Sequence, residues 1–246
     1  MILGELVGLL AVGALAGVVS TVVSLASIVS YPALLAFGLP PLTANVTNTV
    51  ALLFTGLGAA FGSRPELAGQ GAQVVRLGWL TMLGGATGAF LLLVTPSETF
   101  GQLAPWLIGL ASLLLVRPPR GRRRGEYGPL ARCALFVVAI YVGYFGAAGG
   151  ILMLAVLTSM LEGTPARLNA VKNVLSGMAN AVAATGFAIF GPVDWGAAVP
   201  LALGFLLGGW FGPKIARRLP GQSLRYLAAA CGLAVSVKLG YDAYTA

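Results

Sequence analysis

The sequence contains no charged residue between Glu5 and Arg64, a stretch rich in Gly, Ala, Val and Leu. About 20 apolar residues cross the hydrocarbon core of a bilayer, so this stretch is long enough for more than one crossing. Over the whole chain, 58% of the residues are hydrophobic and only 9% are charged, whereas soluble domains carry roughly 25% charged residues. The sequence therefore predicts an all-α, polytopic membrane protein.

The formal net charge of +8 arises mainly from one basic segment near the middle of the chain, which contains six arginines between Arg117 and Arg132. Such a segment could bind nucleic acid or anionic lipid. Between apolar segments, however, it is more typical of a cytoplasmic loop that obeys the positive-inside rule. We therefore expect a multi-pass protein of the cell inner membrane with lipid around it and no nucleic-acid partner. The predicted domains are a membrane repeat at 1–116, an Arg-rich linker at 117–129 and a second membrane repeat at 130–246.

Several residue types that carry chemistry are missing from the sequence. The chain has no histidine, and Cys133 and Cys231 are far apart and outside any metal-binding spacing. It has no GxxxxGK[ST] loop for ATP, and its seven acidic residues all fall in predicted loops or at segment ends. The sequence therefore predicts no metal or other cofactor, and it argues against a membrane enzyme, which needs a nucleophile, acid or base in its site.

The first apolar segment, 6–38, is too long for one straight crossing. As a single helix it would measure about 50 Å, whereas the hydrocarbon core is ~30 Å thick. We predict that it breaks or folds back between Ser24 and Pro32, because Pro32 cannot donate a backbone hydrogen bond. The second half contains a similar long segment, 130–161, with glycines at 143, 146, 149 and 150.

Each long segment is followed by a turn and three shorter apolar segments. Proline at the start of a helix marks the turns at 38–41 and 163–165. The shorter predicted helices of the first half reach position 62, then run from 77 to 94 and from 103 to 116, with loops at 63–76 and 95–101. Those of the second half reach position 190, then run from 195 to 211 and from 224 to 244. GxxxG spacing at 84–88 and 204–212 predicts close helix packing.

The two halves also resemble each other in sequence. GLPPLTANVTNTVA, which begins at Gly38, aligns with GTPARLNAVKNVLS, which begins at Gly163, and identical residues fall at 38/163, 40/165, 46/171 and 48/173. The same order of elements follows both segments. These features predict two structural repeats.

The basic residues constrain the orientation of the two repeats. With four crossings in each half, the repeats would be parallel and the basic segments would lie on opposite faces. If each long first segment instead crosses twice, or forms a re-entrant hairpin, the repeats are inverted and the basic residues share one face. The positive-inside rule favours the inverted arrangement with that face in the cytoplasm.

A candidate site lies in the helix after each turn. Asn48 and Asn173 follow Pro40 and Pro165 by eight residues, which is about 12 Å along a helix and close to the bilayer midplane. Transporters with repeats place their substrate at that depth. A charged lysine there, such as Lys172, costs roughly 2.5–3.5 kcal/mol and needs a functional reason. Asn169, Asn173 and Ser176 share one helix face with Asn180.

Amides, hydroxyls, helix N-termini and one lysine suit a small oxyanion. The predicted substrate-binding residues are Asn48, Thr47, Asn173, Lys172, Ser176, Asn169, Ser24 and Ser27. Structural explanations remain open for the same residues. Asn and Ser could only join neighbouring helices, Lys172 could extend to the membrane surface, and Thr47 could bond its own backbone.

The duplicated pattern of a glycine-rich run, a Gly-x-Pro turn and a polar-marked helix resembles the TauE/SafE family of sulfite and organosulfonate permeases. The resemblance covers nearly the whole chain and is clearest at Gly149-Gly150, Gly163-Thr164-Pro165 and Ala170-Val171-Lys172-Asn173. The first repeat departs from it, since Ser24-Leu25-Ala26-Ser27 stands where the family has glycines, although Pro32 is kept.

The resemblance implies a permease that exports sulfite, sulfoacetate or a related sulfur anion by alternating access. The sequence has no buried carboxylate to carry a proton or sodium ion, which favours export over accumulating uptake. The alternatives are a transporter of a non-sulfur anion and a membrane scaffold without flux. A homo-oligomer is compatible with the sequence.

Overall fold

The computed structural model describes residues 3–23, 26–116, 128–216 and 221–245 of the chain. Within these ranges it contains eleven α-helices and no β-strand, which confirms the all-α prediction. In chain order the helices are α1 (Leu3–Val23), α2 (Ala26–Ala36), α3 (Pro41–Gly62), α4 (Arg64–Leu67), α5 (Gly71–Val94), α6 (Ser97–Val116), α7 (Pro129–Tyr144), α8 (Gly149–Met160), α9 (Pro165–Phe190), α10 (Trp195–Ala216) and α11 (Gly221–Thr245).

Among the described residues, five helices are long and apolar enough to cross a membrane: α1, α3, α5, α9 and α10. Three shorter apolar helices, α2, α7 and α8, come from the two long first segments. These findings confirm the prediction of a multi-pass membrane protein. Most of the Arg-rich linker, at 117–127, lies outside the described residues.

Both long first segments are broken. In the first, α1 ends at Val23 and α2 begins at Ala26, close to the predicted position. Pro32 lies inside α2 and not at the break, because a membrane helix tolerates proline where local adjustments satisfy the freed carbonyl. In the second segment, α7 ends at Tyr144 and α8 begins at Gly149.

Several predicted boundaries were wrong. The predicted loop at 63–76 contains α4 and the first turns of α5, and most of the loop at 95–101 belongs to α6. The helix predicted to end at 211 continues to Ala216. These helices extend beyond their apolar stretches because polar residues at a membrane interface can also adopt helical structure. Glu98, for example, lies in the first turn of α6, where the helix dipole favours a negative charge.

Helices α1, α3 and α10 run in the same direction and pack through small residues. A Cβ added to Gly17 of α1 would lie 3.0 Å from the Cα of Gly208, while Gly58 and Gly62 of α3 contact the backbone around Trp210 of α10. Backbones can approach this closely only where side chains are absent. The glycines of the GxxxG spacing in α10 therefore allow close helix packing, as predicted.

The second half of the bundle is built around α5 and α9. Gly84 of α5 packs against Ala139 of α7, and Gly85 packs against Ala179 of α9. Helix α9 is antiparallel to α3: Gly191, just after α9, faces Val46, and α9 begins near Thr21 at the end of α1. Helices α6 and α11 form an antiparallel pair, joined by a bond from Ser236 to the carbonyl of Pro105.

The helix directions give the bundle two chemically different ends. At one end α3 and α10 finish while α5, α7 and α9 begin; we call it the basic end, and its described basic residues are Arg64, Arg76, Arg132, Arg167 and Lys214. At the other end, which we call the acidic end, lie Glu5, Glu98, Asp194 and Asp242, together with Lys238 of α11. The α1–α2 pair returns to the acidic end, since Phe37 after α2 packs against Gly8. The α7–α8 pair returns to the basic end, where α9 starts.

Candidate functional site

A small cavity lies where the two helix breaks meet α3 and α9. Its volume is about 60 Å³, which is enough for a few water molecules or a small polyatomic ion, since one water needs roughly 10–15 Å³ by this measure. The described residues that line it are Ser20, Ala26, Ser27, Leu52, Thr55, Gly56, Ala59, Val142, Gly146, Gly150, Lys172, Asn173, Ser176, Gly177 and Asn180. We call it the central cavity.

Lys172 brings a side-chain amine to the central cavity. Its side chain is only 2% exposed and lies seven residues inside α9, which begins at Pro165. It therefore does not extend to the membrane surface, as one structural explanation required. No carboxylate is found among the described residues that line the cavity.

Two buried polar groups in the cavity wall have no hydrogen-bond partner within the described part of the chain. They are the amide nitrogen of Asn173 on α9 and the hydroxyl of Thr55 on α3. An unsatisfied buried donor costs about 1–3 kcal/mol, so such groups need an explanation in a folded protein. Both are available to a ligand in the cavity.

Ser27 reaches the cavity from the first turn of α2 and is held there by Asn48. The amide of Asn48 donates to the hydroxyl of Ser27 at 3.2 Å, and its carbonyl oxygen accepts a bond from Ser30. Asn48 is fully buried and is not among the lining residues. It therefore positions Ser27 from behind.

Ser176 lines the cavity one turn beyond Lys172. Its hydroxyl donates to the sulfur of Met153 on α8 at 3.2 Å. Thioether sulfur is a weak acceptor, so this hydroxyl can turn towards a better one at little cost.

Besides Asn48, two predicted site residues lie away from the cavity wall. The hydroxyl of Thr47 accepts a bond from the backbone N–H of Asp194 at 3.0 Å, which joins the start of α3 to the start of α10. The amide of Asn169 donates to the carbonyl of Thr21 at 3.1 Å, near the end of α1. Neither is among the lining residues of the cavity. Ser24 lies outside the described residues.

The sequence reasoning did not select three polar lining residues: Ser20, Thr55 and Asn180. Thr55 follows Asn48 by seven residues, which is two helical turns, so it lies on nearly the same face of α3. Asn180 belongs to the polar stripe of α9 but was not selected. The helical period could have found Thr55, whereas nothing local marks Ser20 as a lining residue.

The central cavity combines one lysine amine with hydroxyl and amide donors from opposite sides. Such a set can bind a small anion, because charge-assisted hydrogen bonds to oxygen are about twice as strong as neutral ones. No group of three metal-binding side chains occurs among the residues that the structure describes.

Comparison with known proteins gives a family match over almost the whole chain. The family model described as Sulfite exporter TauE/SafE matches residues 9–239. The chain is 25% identical over 239 residues to the Probable membrane transporter protein YfcA of Escherichia coli strain K12, covering 95% of this chain and 88% of that protein. No solved structure gives a significant match.

Two further relatives carry the same kind of name. The Probable membrane transporter protein ORF9 of Sinorhizobium sp is 25% identical over 238 residues, which cover 93% of this chain and 89% of the relative. A Probable membrane transporter protein of Haemophilus influenzae is 22% identical over 243 residues, with 95% and 94% covered.

Proposed function

The chain belongs to the TauE/SafE family of membrane transporters, and from this premise we propose that it exports a small sulfur-containing oxyanion, such as sulfite or an organosulfonate. The family description supplies the substrate class. The site proposed for that anion is the central cavity.

The observation that carries this proposal is the pair of unpartnered donors beside a buried lysine. The Asn173 amide and the Thr55 hydroxyl come from two antiparallel helices and line one cavity with Lys172. An oxyanion would accept a hydrogen bond from each and be attracted by the lysine charge. The cost of leaving these groups unpaired would then be recovered when the anion binds.

We further propose that the two halves are inverted repeats that open the central cavity to one face at a time. The supporting features are the α1–α2 pair, which returns to the acidic end, and the α7–α8 pair, which returns to the basic end. Ser27, in the first turn of α2, and Gly146, between α7 and α8, both line the cavity. Substrate sites at the interface of inverted repeats, beside broken helices, are typical of secondary transporters.

The basic end is proposed to face the cytoplasm, as the positive-inside rule requires. An inside-negative potential of 100 mV favours the exit of one negative charge by about 2.3 kcal/mol. Export of an anion therefore needs no coupling ion, and the described lining of the central cavity contains no carboxylate that could carry one.

The test combines binding and flux. Thermal unfolding of the purified protein is measured against sulfite, sulfate, thiosulfate, sulfoacetate, taurine and chloride, because a ligand that binds the folded state raises its unfolding temperature. Flux of the anion that binds is then measured in proteoliposomes. The variant is Lys172→Met, which removes the charge and keeps the length, and the control is Lys238→Met, an exposed lysine of α11.

A shift with one sulfur anion, and flux of that anion, are expected in the parent and in Lys238→Met and should be lost in Lys172→Met. An increase in unfolding temperature with chloride alone would indicate that the substrate is not a sulfur anion. Stabilisation by no anion, together with no flux, would favour a membrane scaffold. Unchanged flux in Lys172→Met would remove the lysine from the site.

A further inference from the structure

A second and larger cavity lies at the acidic end, between α2, the start of α3, α6 and α11. Its volume is about 380 Å³. The described residues that line it are Tyr31, Pro41, Glu98, Gly101, Gln102, Ala104, Leu239, Asp242 and Ala243. We call it the outer cavity, and the proposed function gives it no role.

The outer cavity is acidic in a chain that is otherwise basic. The whole sequence has seven acidic residues and a net charge of +8, yet Glu98 and Asp242 both line this one cavity. No lysine or arginine is among its described lining residues. Glu98 and Asp242 are both exposed, and their carboxylates give the partly apolar cavity a negative potential that attracts cations.

A third oxygen in the outer cavity is unpartnered. Tyr31 is 1% exposed, and its hydroxyl has no hydrogen-bond partner in the part of the chain that the structure describes. A buried hydroxyl without a partner carries a free-energy cost. It is available as an oxygen ligand, as is the side-chain amide of Gln102.

Helix stability explains only one of the two carboxylates. Glu98 lies in the first turn of α6, where the helix dipole favours negative charge. Asp242 lies in the last turn of α11, which ends at Thr245, and there the dipole disfavours negative charge. The helix dipole therefore does not account for Asp242, although Lys238, one turn earlier on the same helix, offsets part of its charge.

We propose that the outer cavity is a cation-binding site, in which Glu98 and Asp242 supply charge and Tyr31 and Gln102 supply neutral oxygen ligands. Its volume is in the range of small-molecule sites, roughly 300–1,000 Å³, and exceeds what a bare ion fills. The described residues contain no group of three metal-binding side chains. The ligand is accordingly a cation with bulk of its own, either a small organic ammonium ion or a metal ion that keeps part of its water shell.

The outer cavity lies close to the central cavity. Tyr31 follows Ser27 by one helical turn on α2, and its ring meets Phe145 edge-on with the ring centroids 5.6 Å apart. Phe145 directly precedes Gly146, which lines the central cavity. A cation bound beside Tyr31 would therefore lie one layer of side chains away from the proposed anion.

Thermal unfolding of the purified full chain tests the proposal. The probes are calcium, magnesium, sodium and putrescine, each added as the chloride at an ionic strength kept constant with potassium chloride. The variants are Glu98→Gln and Asp242→Asn, which remove charge and keep shape, and Tyr31→Phe, which removes only the hydroxyl. The control is Glu162→Gln, an exposed acid at the basic end.

We expect at least one cation to raise the unfolding temperature in a saturable way in the parent and in Glu162→Gln. The apparent Kd should rise more than tenfold in Glu98→Gln and Asp242→Asn and several-fold in Tyr31→Phe. A response to putrescine identifies an organic ammonium site, and a response to calcium or magnesium alone identifies a hydrated metal site.

Saturation by no cation, or equal responses in the parent and the two carboxylate variants, would overturn the proposal. If a carboxylate variant does not fold, Tyr31→Phe decides, because an unchanged Kd there also contradicts the site. The sulfur-anion response is measured in the same samples and does not need Glu98 or Asp242. Failure of the cation site therefore leaves the proposed export function standing, and the reverse also holds.

Discussion

The side-chain amide of Asn48 donates a hydrogen bond to Ser27, 3.2 Å away, and so fixes a wall residue of the central cavity from outside it. Asn48 lies on α3 and Ser27 on α2, so the bond also holds the returning helix of the first pair. We predict that Asn48→Ala weakens anion binding although the residue does not line the cavity. Hydrogen bonds between membrane helices contribute on average about 0.6 kcal/mol and at most about 1.7 kcal/mol, which limits the loss of stability.

A double-mutant cycle with Ser27→Ala measures this coupling. The thermal unfolding and the anion Kd of Asn48→Ala, Ser27→Ala and the double variant are compared with those of the parent. We expect the double variant to bind the anion no more weakly than the worse single variant, because Asn48 acts through Ser27. Strictly additive losses of affinity would show that Asn48 acts independently of Ser27.

Thr55→Val should separate stability from binding. The Thr55 hydroxyl is buried and unpartnered among the described residues, so its replacement by a methyl group of similar size removes a desolvation cost. We predict a gain of about 1 kcal/mol in the free energy of unfolding without ligand, and at the same time a several-fold higher anion Kd. A variant that loses stability would indicate that the hydroxyl already has a structural partner.

Thr47→Val should show the opposite pattern. Thr47 accepts a hydrogen bond from the backbone of Asp194, and its loss leaves that N–H without its partner. We predict a lower free energy of unfolding by about 1 kcal/mol and an unchanged anion Kd. The free energy of unfolding and the anion Kd are measured for Thr47→Val and Thr55→Val together, as matched threonine variants on one helix. A raised Kd in Thr47→Val would show that Thr47 contributes to anion binding.

The sequence predicted the fold class and the helix breaks because both follow from simple limits. An uncharged segment of 33 positions, 6–38, cannot be one straight crossing, and the structure divides it into α1 and α2. Prolines at the starts of α3 and α9 were reliable markers for the same kind of reason, since proline suits the first turn of a helix. The first residues of α5 and α6 were harder to predict, because polar residues at a membrane interface occur both in helices and in loops.

The candidate site was harder to predict because it depends on helix rotation. Thr47 and Asn48 are adjacent, so their side chains point about 100° apart around α3, and Thr47 turns to Asp194. Asn169 shares a face with Asn173 but lies one turn nearer the basic end, where it meets Thr21. Only the position of the end of α1 beside Asn169 decides that difference, and no local pattern in the sequence encodes it.

The proposed inversion of the repeats can be tested with two matched cysteines. Ala36, at the end of α2, and Glu162, just after α8, precede the equivalent turns at 38–41 and 163–165, and both are exposed. In a background with Cys133→Ser and Cys231→Ser, we predict that an impermeant thiol reagent labels Ala36→Cys in intact cells. Glu162→Cys should react only after the cells are permeabilised, because the basic end faces the cytoplasm.

Ala68→Cys, exposed between α4 and α5 at the basic end, is the control and should behave like Glu162→Cys. Parallel repeats would place the two equivalent turns on the same face, so both cysteines would then react from the same side. If Glu162→Cys and Ala68→Cys react from outside while Ala36→Cys is protected, the repeats are inverted, but the basic end faces away from the cytoplasm. The charge argument for export would then fail, because it depends on the basic end facing inward.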